Sequence, residues 1–495
     1  MNSNNPAAQN ADVPDVSAEH PISDNWVFVG THRPPVPRNM VDYMTSQWEQ
    51  ITLDPGVHEA ASFCASRRRR LTSALEGRTI VVPTGSFKVR SSDTDFRFRP
   101  GSDFFWLTAS HEPDGVLVIA PSGEATLYVE LAGDPSSHRF FTDSQYGELW
   151  TGRRPTLAET ERHLGLTTCP RTDLADVLAA ISGPMAVLRG YDRLVDTTLA
   201  KSEDDDNLAH TLAHLRLTKD EYEIARLQEA VDATILGFED VVRALPSAIG
   251  RGERVIEGIF NLRARVEDND VGYSTIAASG SHATVLHWTK NDGAVRPGEL
   301  LLLDAGVECN DLYTADVTRT LPINGTFSEA QRTLYNLVLD AQKAGIAAVK
   351  PGAKFMDAHT AAMEVLTKGL IELGIISEEG HGELPVAQLH RRYTLHGTSH
   401  MLGIDVHDCA AARNELYLGE LQPGYVLTVE PGLYFQANDL TVPEHFRGIG
   451  IRIEDDVLVT NDGNVVLSAE LPREPHTIEA WMAKIWATST QNLHL

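Results

Sequence analysis

Four acidic residues stand where a buried cation site could be built. Asp304 follows Leu300-Leu-Leu-Leu303 and precedes Ala305-Gly306, and Asp316 lies within Thr314-Ala-Asp-Val-Thr-Arg-Thr320. Further along, Glu430 follows Val426-Leu-Thr-Val429 and precedes Pro431-Gly432, and Glu454 lies within Gly448-Ile-Gly-Ile-Arg-Ile-Glu-Asp455. A carboxylate after four leucines is expected to be buried, and a buried charge needs a partner. Four carboxylates meeting at one point repel one another unless cations compensate. Two divalent ions carry the four positive charges required, which favours a two-metal site over one metal or none. An imidazole source lies just before Glu430, in His396-Gly-Thr-Ser-His400-Met-Leu-Gly-Ile-Asp-Val-His407. Mostly oxygen donors with one nitrogen suit Mn²⁺, or Co²⁺, better than a thiolate-rich zinc site. Such a site lowers the pKa of water and polarises a carbonyl, so hydrolysis is its natural chemistry. Any one of these acids alone could equally be a surface or salt-bridge residue; their matching positions carry the reading. His396 and His400 have the spacing of a helical zinc pair, but Gly397 argues against a helix and no H-E-x-x-H is present.

The elements that must position these residues repeat. Thr218 to Glu221 fits a capping box opening a long helix with Ile224, Leu227, Val231 and Phe238 on one face. A second helix is expected over about Glu253 to Val266, then strands over Tyr273–Ala277, Leu300–Leu303 and through Val317. Ser328 to Gln331 is another capping box, opening a helix that ends before Pro351-Gly352. A further helix over about Met356 to Leu373 precedes strands at Val426–Val429 and Ile449–Val459. From about 210 to 470 the order is therefore helix, helix, strands, twice over. Two such halves packed strand to strand would form one curved sheet backed by four helices, with a site between them. Each half would supply one carboxylate at a strand end and another on a following strand.

Upstream, from about Tyr43 to Thr198, apolar runs of strand length alternate with turn signals: Thr79–Pro83, Phe104–Leu107, Gly115–Ala120 and Ala125–Val129. With helical stretches such as Leu157 to Leu164, this predicts a smaller N-terminal α/β domain. The expected division is a disordered tail over 1–40, the N-terminal domain over 41–205, the catalytic domain over 206–480 and a C-terminal extension over 481–495. The acidic segment Ser202-Glu-Asp-Asp-Asp206 is taken as the boundary, because a like-charge run packs poorly. At 495 residues the chain is too long for one ordinary core.

Composition excludes some functions. Asp and Glu number 69 against 42 Lys and Arg, a formal charge of −27, which disfavours a nucleic-acid partner. The one basic run, Arg67 to Arg70, reads as a solvated helix face. The four cysteines, Cys64, Cys169, Cys309 and Cys409, are scattered and read as reduced thiols. Neither a signal peptide nor an apolar run long enough to span a membrane is present, so a cytoplasmic, soluble protein without a membrane partner is expected.

The motifs Leu303-Asp-Ala-Gly306, Ala315-Asp-Val-Thr-Arg-Thr320, His396-Gly-Thr-Ser-His400, Thr428-Val-Glu-Pro-Gly432 and Gly450-Ile-Arg-Ile-Glu-Asp455 resemble those of the pita-bread metallopeptidases, and within these the aminopeptidase P family. The resemblance covers nearly the whole chain after the tail. It implies that Asp304, Asp316, His400, Glu430 and Glu454 are metal ligands, with Asp316 and Glu454 bridging. It implies that His287, within Val285-Leu-His-Trp288, together with His396, His407 and Arg452, surrounds the substrate. Glu430 would also transfer the proton of the attacking water. Arg452 and Glu454, at i and i+2, would share one face of a strand. Arg90-Ser-Ser-Asp93, Gly101-Ser-Asp-Phe-Phe-Trp106 and Glu148-Leu-Trp-Thr-Gly-Arg-Arg154 resemble the family's amino-terminal domain. There Asp93, Trp150 and Arg153 would bind substrate near the active site, or that of a neighbouring subunit, unless they serve domain packing. A homodimer or homotetramer is the expected assembly. One departure is visible: Asp304 and Asp316 are one position further apart than the family's spacing, placing an extra residue in the turn near Asn310-Asp311.

The implied activity is release of the first residue from peptides with proline second. A bond before proline is a tertiary amide without an N–H, awkward for proteases that bind substrate as an extended strand. The alternatives are a prolidase confined to Xaa-Pro dipeptides, a metal-free creatinase-type amidinohydrolase, and a non-catalytic pita-bread binding module. Intact ligand positions count against the last two.

Overall fold

The structure is a computed structural model describing residues 26–27, 36–49 and 51–488. The tail expected over 1–40 falls largely outside the described residues, although Arg38–Met44 is a helix. In the N-terminal part, strands β1 (Thr79–Pro83), β2 (Val116–Ile119), β3 (Ala125–Val129), β4 (Thr167–Pro170) and β5 (Met185–Val187) form one sheet in the order β4-β3-β2-β1-β5. β1 and β2 are buried throughout, as a mixed sheet covered on both faces requires. Helices α1 (Ala61–Ala74), α2 (Ser102–Thr108) and α3 (Leu157–Leu164) belong to the same part. α3 covers the expected residues because Thr156 and Glu159 cap its start and Gly165, at φ 59°, ends it.

Two local expectations fail here. Phe104–Leu107, read among the strand-length runs, is the buried centre of α2. A four-residue apolar run carries no period that separates a buried strand from a buried helix. Nor is the Arg67–Arg70 run solvated: Arg67 and Arg68 are buried. Arg67 donates to the Trp106 carbonyl at 3.1 Å and to Asp220 at 3.0 Å, and Arg68 donates to the Leu107 carbonyl at 2.6 Å. The run joins α2 to the start of the C-terminal part. The acidic segment opens helix α4 (Asp204–Arg216), where Asp205 is buried and accepts from Arg189 at 2.9 Å.

The C-terminal part begins with helix α5 (Glu221–Ala248), whose N-cap is Asp220 rather than Thr218. Asp220 and Glu223 form the capping box, while Lys219 N–H is drawn to the Gly424 carbonyl at 2.8 Å. Helix α6 (Glu253–Glu267) follows, then strands β6 (Ile276–Ser279), β7 (Leu300–Ala305) and β8 (Val317–Pro322), antiparallel in that order. The second half has α7 (Glu329–Ala348), opened by the expected Ser328/Gln331 box, and α8 (Asp357–Glu372). Strands β9 (Val426–Val429), β10 (Gly432–Tyr434), β11 (Gly450–Arg452), β12 (Asp455–Val459) and β13 (Asn464–Val466) complete it. The four helices share one apolar core that includes Phe238, Phe260, Leu334 and Leu366.

The curved sheet comprises separate ladders: β6-β7-β8, β9-β12-β13 and β10-β11. They break at Glu430-Pro431 and at Ile453-Glu454, and the halves are stitched across the break. Glu454 N–H donates to the Thr318 carbonyl at 3.1 Å, and Arg452 N–H to Thr320 Oγ1 at 3.2 Å. Helix α9 (Pro475–Thr488) packs Ile478, Met482 and Ile485 inward, so the division expected at 480 falls inside it. Among the described residues no helix is long and apolar enough to cross a membrane, and all four cysteines are free.

Candidate metal centre and active site

The stitched break brings the four acids together. Asp304 is the penultimate residue of β7, and Asp316 immediately precedes β8. Glu430 lies between β9 and β10, and Glu454 between β11 and β12. Three of the four acids thus occupy strand breaks rather than strands, where the backbone can turn a side chain inward. Ligand atoms of Asp316, His400 and Glu454 all lie within 4.8 Å of one another. His400 Nε2 is 3.2 Å from Asp316 and 3.8 Å from Glu430. The Tyr273 hydroxyl reaches both Asp304, at 2.7 Å, and Asp316, at 2.5 Å.

Arg452 and Glu454 share a site, though not one strand. Arg452 pairs with Asp304 and donates to Thr318 Oγ1 at 3.2 Å, while that hydroxyl donates to Glu454 at 2.6 Å. Between Asp304 and Asp316 the chain makes the turn Cys309–Leu312, where Leu312 N–H donates to the Cys309 carbonyl at 2.8 Å and Leu312 adopts φ 66°. Asp311 in that turn accepts from the Tyr222 hydroxyl at 2.5 Å.

A cavity of about 630 Å³ opens on this cluster, lined by Asp304, Asp316, His400, Glu430 and Glu454 and also by His287, His396, His407 and Arg452. Ile276, Leu286, Val406 and Tyr417 add apolar wall. Asp93, Trp150 and Arg153 do not line it. Asp93 is exposed beside the hairpin of Val89–Ser91 and Thr94–Asp95. Trp150 donates to the Phe141 carbonyl at 3.1 Å, and Arg153 binds Glu159 at 3.0 Å and the Ile51 carbonyl at 2.9 Å. Within one chain Trp150 and Arg153 bind inside the N-terminal part.

Electrostatics mark the cluster as a place for cations. Burial, then repulsion from Asp316, Glu430 and Asp304, pushes the Glu454 carboxyl well up; its residue is 1 % exposed. Burial raises Asp304 as well, against the opposing pull of Arg452. Glu430 is pushed up to about 7 by burial, against His400 and Arg452. Burial works against the His400 cation, but Asp316 and Glu430 overcome it and hold the imidazole at about 9. His396 is pushed down to about 4 by burial and then by Arg452, and burial beside His400 lowers His407. Acids that hold protons because they are buried and crowd one another are suited to exchange them for divalent ions. The donor set of four carboxylates and one imidazole fits such ions.

Several residues that shape the site carry no motif. Tyr434 Oη is 2.8 Å from His396 Nε2 and accepts from Arg452 at 3.1 Å. Thr398 lies 2.9 Å from His359 Nδ1, and its carbonyl accepts from Glu430 N–H at 2.8 Å. Tyr434 could have been found four residues beyond Glu430 on the next strand; Tyr273 and His359 had no local signal.

Comparisons with known proteins agree with this geometry. The model of metallopeptidase family M24 matches residues 225–461, and that of the aminopeptidase P N-terminal domain matches residues 64–186. Xaa-Pro aminopeptidase 1 of Streptomyces coelicolor is 51 % identical over 462 residues, covering 91 % of this chain and 93 % of that relative. The Xaa-Pro aminopeptidase of Escherichia coli is 33 % identical, covering 84 % and 96 %. Among solved structures, Pseudomonas aeruginosa aminopeptidase PepP superposes with a TM-score of 0.76 at 31 % identity, over 87 % of this chain and all of that one. E. coli aminopeptidase P with the inhibitor Pro-Leu also gives 0.76, at 28 % identity, over 87 % and 100 %. With its two matched domains, pita-bread architecture and near full-length relatives, the chain belongs to the Xaa-Pro aminopeptidase (aminopeptidase P) family of M24 metallopeptidases.

Proposed function

We propose that this metal-dependent hydrolase removes the first residue of peptides whose second residue is proline. Asp304, Asp316, His400, Glu430 and Glu454 would hold two divalent cations, with Asp316 and Glu454 shared. The observation carrying this is the convergence of three buried carboxylates, the half-buried Glu430 and one imidazole on a single cavity. When bound, the cations lower the pKa of water and polarise the scissile carbonyl. Glu430, which lines the same cavity, would take a proton from the attacking water and return it to the departing proline nitrogen. Neutral His396 is held by Tyr434, and His287 and His407 flank the same cavity. Arg452 neutralises Asp304 and orders Thr318 against Glu454. The acidic cavity favours a free amino terminus, and the rigid proline ring suits its apolar wall.

Manganese is the cation this reading prefers, on the oxygen-rich donor set. A cytoplasmic location is supported by four free thiols. The division of the chain near residue 205 rests on the change from the five-stranded sheet to α4 and α5. Asp93 and Trp150, both exposed, would reach a neighbouring subunit's cavity in a homodimer or homotetramer, with Arg153 bracing that surface.

The test is turnover of Xaa-Pro-Xaa tripeptides with Mn²⁺, alongside Xaa-Pro dipeptides and an Asp316→Ala variant. Tripeptide cleavage that the variant loses supports the reading. Cleavage confined to dipeptides would make the enzyme a prolidase, and equal cleavage of N-blocked peptides would remove the role given to the free amine.

A further inference from the structure

The loop between β6 and β7 carries His287 to the cavity, and the side chain of His287 makes no hydrogen bond among the described residues. Its position must come from its neighbours. They converge on Glu253, the first residue of α6, which is 0 % exposed. One carboxylate oxygen accepts from Ser279 N–H at 2.7 Å and lies 2.9 Å from His282 Nδ1. The other accepts from Trp288 Nε1–H at 2.8 Å and from Gly293 N–H at 2.7 Å. These four groups bracket His287: the end of β6, the short 3₁₀ turn after it, the residue next to His287 and the start of the return.

The surroundings leave little freedom. The His282 ring stacks on Trp288 with centroids 3.9 Å apart. Glu253 N–H donates back to the Gly293 carbonyl at 3.0 Å, so helix start and loop are joined in both directions. A Cβ on Gly293 would lie 2.3 Å from the His282 ring and 2.7 Å from Glu253, and only glycine fits there. Asn291, with φ 46°, takes Ala277 N–H at 2.9 Å and donates to the Thr275 carbonyl at 2.9 Å, pinning the return to the strand paired with Asp304.

We infer that Glu253 is a positioning residue for His287, setting the loop so that this imidazole faces the peptide. The inference rests on the reading that His287 meets substrate. The amide of a Glu253→Gln variant keeps one accepting oxygen and turns an NH₂ towards the Ser279 N–H on one side or the Trp288 and Gly293 N–H groups on the other, so one side of the loop is released. A displacement of about 1 Å at such a site lowers turnover up to about a hundredfold.

The experiment measures kcat and KM on a Xaa-Pro-Xaa tripeptide at saturating Mn²⁺ for the wild type, Glu253→Gln, His287→Ala and the double variant, with bound manganese counted in each. The expected result is a tenfold to hundredfold fall in kcat/KM for Glu253→Gln at unchanged metal content, with almost no further loss in the double variant. A merely structural role would make the two losses multiply, and that result, or wild-type kinetics for Glu253→Gln, overturns the inference. If His287→Ala alone has wild-type kinetics, it is the reading of His287 that fails, and the inference with it. Should Glu253→Gln not fold, Trp288→Phe removes a single donor; a smaller loss that His287→Ala absorbs supports the inference, and a multiplicative one overturns it.

Discussion

Raising the pH should tighten divalent-cation binding, with a slope set by the protons the site must release. A ligand must be unprotonated to coordinate, so the cation competes with a proton at each raised group. Glu430 stands at about 7 and His400 at about 9, with Glu454 and Asp304 also raised. Near pH 6, Glu430 is about nine-tenths protonated and His400 almost wholly so. Binding there releases at least about two protons, and affinity climbs about a hundredfold from pH 5 to 6. Above pH 7 Glu430 is already ionised and the slope falls towards about tenfold per unit, which His400 sustains to about pH 9. Glu454 and Asp304 act in the same direction.

Stability carries the same signature. A folded-state pKa above the unfolded one contributes stability that is present at low pH and lost as pH rises through the folded value. Glu430, moved from 4.5 to about 7, contributes about 3 kcal/mol below pH 4.5 that is lost as pH rises through about 7. His400, moved from 6.5 to about 9, contributes stability that is lost as pH climbs through about 9. The melting temperature without added cation should therefore fall as pH rises through this range, and the increment on adding Mn²⁺ should grow. Titration calorimetry near pH 6, in two buffers of different ionisation enthalpy, counts the protons. Equal affinity near pH 5.5 and 6.5, with no proton release, would refute the assignment of Glu430 and His400 as ligands.

Three other outcomes follow from particular contacts. Tyr434→Phe removes the hydroxyl joining His396 to Arg452, and kcat/KM should drop about tenfold with metal content intact, by steady-state kinetics and elemental analysis. Asp455→Ala strands the fully buried Arg319 that pairs with it at 2.7 Å, and should destabilise the fold by about 3–5 kcal/mol in urea unfolding. Gly306→Ala should abolish soluble expression or remove bound metal, because its Cβ would lie 1.7 Å from the Ala315 carbonyl, between Asp304 and Asp316.

What could be read along the chain was what is decided locally. Asp304 and Glu430 each stand at the end of an apolar strand with a glycine two residues on, so the strand end at each acid was legible from near neighbours. The Ser328 box and the turn signals around α3 worked for the same reason. Contacts made by distant segments left no such trace. Tyr273, expected in a strand that in fact begins at Ile276, reaches across to Asp304 and Asp316. Arg67 looked like part of a solvated basic face because Asp220 and Glu223, which bury it, are remote in sequence. Glu253 carried no motif at all; its four partners gather only when α6 packs on β6 and its loop.

The most direct test of the account is a crystal grown with Mn²⁺ and an anomalous difference map at the manganese edge. A two-cation centre gives two peaks per chain, both within coordination distance of Asp316 and Glu454, one also touching His400. One peak, none, or peaks away from these carboxylates would contradict the two-cation centre on which the rest depends.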